Sequence, residues 1–164
     1  MTSHTPATHY AIVHEKTAQA VAALRELDLG AWLLMGRETL EMADPSLALV
    51  VGTTVTWISA FIIPAQGEKV AIVGTYDVPN LQGTGNFDRV LDYVGSPRDA
   101  LLDTLRQLDP QSIAINISTS DKMADGLTTG LYLKLQEYLA GTPYAERLVP
   151  SDRLVSAVRA RAGG

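Results

Sequence analysis

The sequence contains no cysteine, which excludes disulfide staples and thiol nucleophiles. Histidine is nearly as scarce: His4, His9 and His14 all lie at the start of the chain and none follows them. A Ser-His nucleophile system in the folded body is thereby excluded as well. On a helix the five-residue spacing sets successive imidazoles about 140° apart, which suits no shared metal, so all three read as solvated side chains. No basic cluster occurs either. The formal net charge is −5 and the pI about 5.1, with Lys and Arg scattered, so neither nucleic acid nor an anionic membrane is expected as a partner. The longest apolar stretch, Ala43 to Pro64, is broken by Asp44, Pro45, Gly52 and three threonines and is no membrane span. The N-terminus lacks the basic start and apolar core of a secretory leader, and the expected location is the cytoplasm.

What is present describes an ordinary globular domain. Hydrophobic residues make up 46% of the 164 and charged residues 19%, enough apolar surface for one core and too little charge for disorder. From Tyr10 to Leu27 the apolar positions Val13, Ala20, Val21, Leu24 and Leu27 recur at helical spacing. Ala31 to Met35 reads as a strand buried on both sides. Glu38 to Asp44 is a polar connection, and Asp44-Pro45-Ser46 is placed to start a short helix through Val50. Thr54 to Ile63 reads as a strand, joined by a turn at Gln66-Gly67-Glu68 to a second at Lys69 to Val73. Asp77 to Asn86, with Pro79, Asn80, Gly83 and Gly85, reads as a surface loop before a strand at Arg89 to Val94. Ser96 caps a helix through Leu108, with Pro97 in its first position. Ser112 to Asn116 is expected as a central strand and Gly126 to Leu139 as a helix with Leu127, Leu131, Leu135 and Tyr138 inward. Interleaved helices and strands predict an α/β class, a mixed sheet with helices on both faces.

Few residues carry recognisable chemistry. The carboxylate sets Asp121 with Asp125, Asp99 with Asp103, and Glu38 with Glu41 and Asp44 each have ordinary work as caps or solvated faces. Gly83-Thr84-Gly85 lacks the third glycine and the strand-to-helix setting of a dinucleotide loop. At Asp125-Gly126-Leu127-Thr128-Thr129-Gly130, small residues at a helix start leave amides approachable by an anion, although close packing explains the same glycines. Trp32 and Trp57 read as core anchors. The candidate contact residues are therefore Glu38, Glu41 and Asp44 in one connection and Asp125 and Gly126 at the helix start. No catalytic, cofactor-binding or metal-ligating residue is assigned.

Glu15 to Leu27 leading into Ala31-Trp32-Leu33-Leu34, then Glu41 to Pro45, Thr56 to Ile62, Ser112 to Asn116, Asp125 to Tyr132 and Leu154 to Arg161, together resemble the N-terminal domain of the creatinase, prolidase and aminopeptidase P family. The resemblance implies a three-layer α/β/α fold with a ribonuclease-H-like mixed sheet and no nuclease activity. It implies a following "pita-bread" catalytic domain holding two divalent metals such as Mn, Co or Zn, with no cofactor in this chain. It also implies a homodimer in which the domain controls access to an active site. The corresponding division is a flexible tail at 1–9, the domain at 10–150 and a terminal helix at 151–164 leading toward a catalytic domain. The stripe Leu154, Val155 and Val158 on that helix is expected to need cover from another surface. The competing reading is a stand-alone small-ligand-binding α/β module.

Overall fold

The computed structural model describes residues 6–161, with side chains described from residue 9 onward. Residues 1–5 of the expected tail, His4 among them, lie outside the described residues, and residues 6–9 already belong to the first helix, α1 (Pro6–Glu26). Strand β1 (Ala31–Gly36) is buried at every position, as its unbroken apolar run requires. It pairs antiparallel with β2 (Ser59–Pro64), in register from Ala31 opposite Pro64 to Gly36 opposite Ser59. β3 (Val70–Gly74) runs antiparallel to β2 and parallel to β4 (Arg89–Tyr93), completing one half of the sheet. On the other side β5 (Ile113–Ile115) and β6 (Leu148–Pro150) follow β1 in parallel. The six strands lie in the order β4-β3-β2-β1-β5-β6, so β2 alone runs against the rest.

Side chains alternate across the strands and build two cores, giving the three-layer mixed-sheet architecture expected. Trp32, Leu34, Phe61, Ile63 and Val73 face α1, α2 (Pro45–Val50), α3 (Val78–Thr84) and α6 (Asp152–Ala160). Leu33, Met35, Ile62, Ile72 and Ile115 face α4 (Arg98–Leu108) and α5 (Thr129–Leu139). Each fully buried Leu or Ile contributes roughly 1.5–3 kcal/mol of apolar burial.

The structure corrects several expectations. Leu154, Val155 and Val158 are buried within the chain itself, with α6 lying on α1, so the stripe needs no external partner. Lys16 of α1 fastens that contact, its Nζ donating to the Val158 and Arg161 carbonyls at 2.9 and 2.8 Å, where the last carbonyls of a helix lack intrahelical donors. Asp77 to Asn86 is not a loop over the surface but a turn and the helix α3, with Asp77, Thr84 and Asn86 buried. Pro79 sits in the first turn of α3 and Gly85 ends it in the left-handed region at φ 64°; residues that resemble loop punctuation are here the start and stop signals of a short helix. The strand expected from Thr54 begins only at Ser59, because Asp77 takes the Thr56 and Trp57 amides away from any ladder. β5 is second from the sheet edge rather than central, since β6 lies outside it. α5 starts at Thr129, where Thr128 Oγ1 accepts from the Leu131 amide, leaving Gly126 before the helix. His9 and His14 are not merely solvated: their Nε2 atoms donate to the Gly52 and Thr84 carbonyls at 2.9 and 2.7 Å.

Candidate functional site

All five candidate residues line one cleft of about 1200 Å³. It opens where β1, running out into its loop, turns toward β2 while β5 turns the other way toward β6, the switch point at which open α/β sheets place their ligands. The Gly36 to Asp44 segment forms one wall and the Lys122 to Leu131 segment the other. Glu38 holds φ 47°, an uncommon left-handed setting for a side-chain-bearing residue, and its amide donates to the Thr56 carbonyl at 3.0 Å. The neighbouring Thr39 amide donates to the Val55 carbonyl at 3.1 Å, so this wall is stitched to the segment that carries Trp57.

Asp44 is the buried member of the set. Its Oδ1 accepts from the Ser46 amide at 2.9 Å, capping α2, and its Oδ2 accepts from Asn116 Nδ2 at 2.7 Å. Asn116 in turn accepts at Oδ1 from Trp32 Nε1 at 2.9 Å and from the Ser151 hydroxyl, so one amide joins the cleft floor, the core and the root of α6. Burial pushes the Asp44 carboxyl above its ordinary value, and the Asn116 and Ser46 hydrogen bonds pull part of that shift back. Gly126 lies against this carboxylate so closely that a Cβ there would overlap it. Asp125 is exposed and accepts from the Ser118 amide at 3.0 Å; Glu38 and Glu41 are exposed on the opposite wall.

Four further cleft residues, not singled out from sequence as site residues, bear on its chemistry. Trp57, expected in the core, is 48% exposed at the cleft mouth. It is nevertheless fixed: buried Asp77 accepts from the Thr56 and Trp57 amides at 2.9 and 3.3 Å, and the indole lies flush on Gly74, where a Cβ would overlap it. Tyr93 stands beside the indole at 6.3 Å between ring centroids, its hydroxyl donating to the Ile58 carbonyl at 2.7 Å, and burial pushes its pKa above the ordinary phenol value. Arg37 and Lys122 also line the cleft, and among the described residues neither side chain has a hydrogen-bond or ion-pair partner. Nothing local in Thr53-Thr54-Val55-Thr56, a strand-favouring run, signals that this segment leaves the sheet; the cause is the distant Asp77 carboxylate. Trp32, by contrast, is fully buried as expected.

Among the described residues no group of three or more His, Cys, Asp or Glu is placed to hold a metal, and no helix is long and apolar enough to cross a membrane. The cleft carboxylates, with no histidine beside them, do not fit a two-metal water-activating centre.

A mixed six-stranded sheet between two helical layers, with its open cleft at the strand carboxyl ends, defines the class of domain. The chain matches a Xaa-Pro dipeptidase from Bacillus anthracis at 16% identity and a TM-score of 0.61, over 90% of this chain and 36% of that one. It matches the creatinase/prolidase N-terminal domain of an X-Pro dipeptidase from Streptococcus pyogenes at 16% identity and a TM-score of 0.57, over 77% and 89% of the two chains. For an aminopeptidase P, a Xaa-Pro aminopeptidase from Streptococcus thermophilus, the values are 12% and 0.64, over 90% and 98%. This chain thus spans about a third of the first of these proteins and most of the other two structures. No protein-family model and no curated protein matches the sequence. The fold is that of the N-terminal domains of Xaa-Pro dipeptidases and aminopeptidase P.

Proposed function

We infer that this chain is the non-catalytic N-terminal domain of a Xaa-Pro-peptidase-like or creatinase-like metallohydrolase, with α1 and α6 both packed into the domain and α6 leading toward a catalytic domain. It serves dimerisation and control of substrate access through the face that carries the cleft. The supporting observation is the apolar rim of that face, Leu40, Met42, Trp57 and Val94 being 85%, 77%, 48% and 88% exposed around the cleft or at the adjoining strand end. Large apolar side chains gathered at one end of a fold mark a contact surface. Glu38, Glu41, Asp44, Asp125 and Gly126 are assigned to that contact, Asp44 and Gly126 by shaping the floor and the exposed carboxylates by meeting the partner. The two divalent metals of the resembled family belong in this reading to the catalytic domain. Assay of the isolated chain against Xaa-Pro dipeptides with manganese, cobalt or zinc is expected to show no turnover. Turnover abolished by Asp121→Asn or Asp125→Asn would contradict the reading.

A further inference from the structure

We propose that the cleft of this chain by itself binds a small monocarboxylate bearing a flat apolar group. This does not rest on the family reading, since the binding needs no second domain. Trp57 is the first ground. A half-exposed indole on a surface segment is ordinarily free to reorient, yet here the buried Asp77 carboxylate holds its backbone, Gly74 receives its ring and Tyr93 flanks it. Such a pre-set aromatic surface accepts a flat apolar group with little loss of side-chain freedom. Apolar Met35, Met42, Ile58 and Leu131 line the same cleft.

Arg37 is the second ground. Its guanidinium is unpartnered among the described residues and lies over Gly130, where an added Cβ would come within 3.2 Å of Nη2. The missing side chain at that position leaves the guanidinium room, and a guanidinium fork pairs with carboxylate through two parallel hydrogen bonds. Glu38, Glu41 and Asp125 around the opening disfavour ligands of higher negative charge, which is why the class is a monocarboxylate.

The probe is 3-phenylpropionate, titrated by calorimetry and by tryptophan emission, with 3-phenyl-1-propanol as the uncharged control. Saturable binding is expected, with an emission change that vanishes in Trp57→Phe, where only buried Trp32 remains. Arg37→Gln should weaken binding by at least about tenfold, the loss associated with a charge-assisted hydrogen bond, and the alcohol should bind weaker by a similar factor. Because the Arg37 side chain is exposed and, among the described residues, makes no hydrogen bond or ion pair, the variant should unfold at the unchanged denaturant midpoint, which separates lost binding from lost fold. The proposal is overturned by absence of saturable binding up to the solubility of the acid. It is equally overturned by binding that Arg37→Gln and Trp57→Ala leave unchanged, or by an alcohol that binds as well as the acid.

Discussion

At the amino ends of β1 and β5 the Gly30 and Ala31 amides both donate to the Ser112 carbonyl at 3.1 Å, the Ala65 amide donates to the Gly30 carbonyl at 2.9 Å, and Ile113 donates to Arg147 at 2.8 Å. A Cβ on Gly30 would come within 2.8 Å of the Ser112 carbonyl, so backbone packs on backbone there. The carboxyl ends of the same strands are built the other way. Among the described residues, five of the seven exposed large hydrophobic side chains, Leu40, Met42, Trp57, Tyr76 and Val94, belong to segments at that end, around or beside a cleft whose charged groups are partly unpaired. One end of the sheet is closed by hydrogen bonds that serve stability; the other is left open, with apolar surface in contact with water and, at Trp57, fixed in place. An exposure that costs favourable burial and is still fixed in place is the mark of a recognition surface.

The sharpest way to break this contrast is to attack the network beneath the cleft. Asn116→Ala would leave the Trp32 indole N–H, the Ser151 hydroxyl and an Asp44 oxygen without partners, and should cost about 3–5 kcal/mol in denaturant unfolding. A loss below about 1 kcal/mol would mean that water replaces the amide and that the floor is not closed. Gly126→Ala should cost about 1–3 kcal/mol, because the added methyl meets the Asp44 carboxyl and one wall has to move. Ser96→Ala, at the start of α4 just past the cleft-lining Gly95, should cost about 1 kcal/mol. The structure corrects the expected cap by one residue: the helix begins at Arg98 with Pro97 as its N-cap, and the Ser96 hydroxyl, one position earlier, accepts from the Arg98 amide at 3.2 Å.

The pH dependence follows from the same buried carboxyl. A folded-state value raised above the unfolded one means that Asp44 contributes stability below the ordinary carboxylate range and loses it as pH rises through the elevated value. The stability difference between the native chain and Asp44→Ala should therefore shrink from pH 4 toward pH 7, read from paired denaturant curves; a difference that grows over that interval would show the carboxylate to be favoured in the fold. The smallest effect is expected at the rim. Met42→Ala should change stability by less than about 0.5 kcal/mol, since the side chain is 77% exposed.

Much of the architecture was legible because the chain announces it locally. The continuous apolar run of β1, the Asp44-Pro45 start of α2 and the helical spacing of α1 all have short-range causes. What escaped depended on distant partners. Gly and Pro between 77 and 86 punctuate a loop and a three-turn-or-shorter helix alike, and only burial of Asp77 and Asn86 against other elements decides for the helix. Strand β6 has only three residues, with no room for a period. The α6 stripe was correctly apolar, but nothing in its own residues indicates that α1 covers it. For the site, the polar loop and the helix start both line the cleft; Trp57 and Arg37 were missed because an aromatic in a β-branched run and a lone arginine look like core and surface until Asp77, Gly74 and Gly130 are seen beside them.

Sedimentation equilibrium of the native chain beside Met42→Glu and Leu133→Glu tests the contact surface most directly, because both residues are exposed but only Met42 lies on the cleft face, Leu133 standing on α5. The account predicts a dimer that Met42→Glu dissociates and Leu133→Glu leaves intact. A native chain that stays monomeric at the highest attainable concentration, or a dimer that both variants weaken equally, would contradict it.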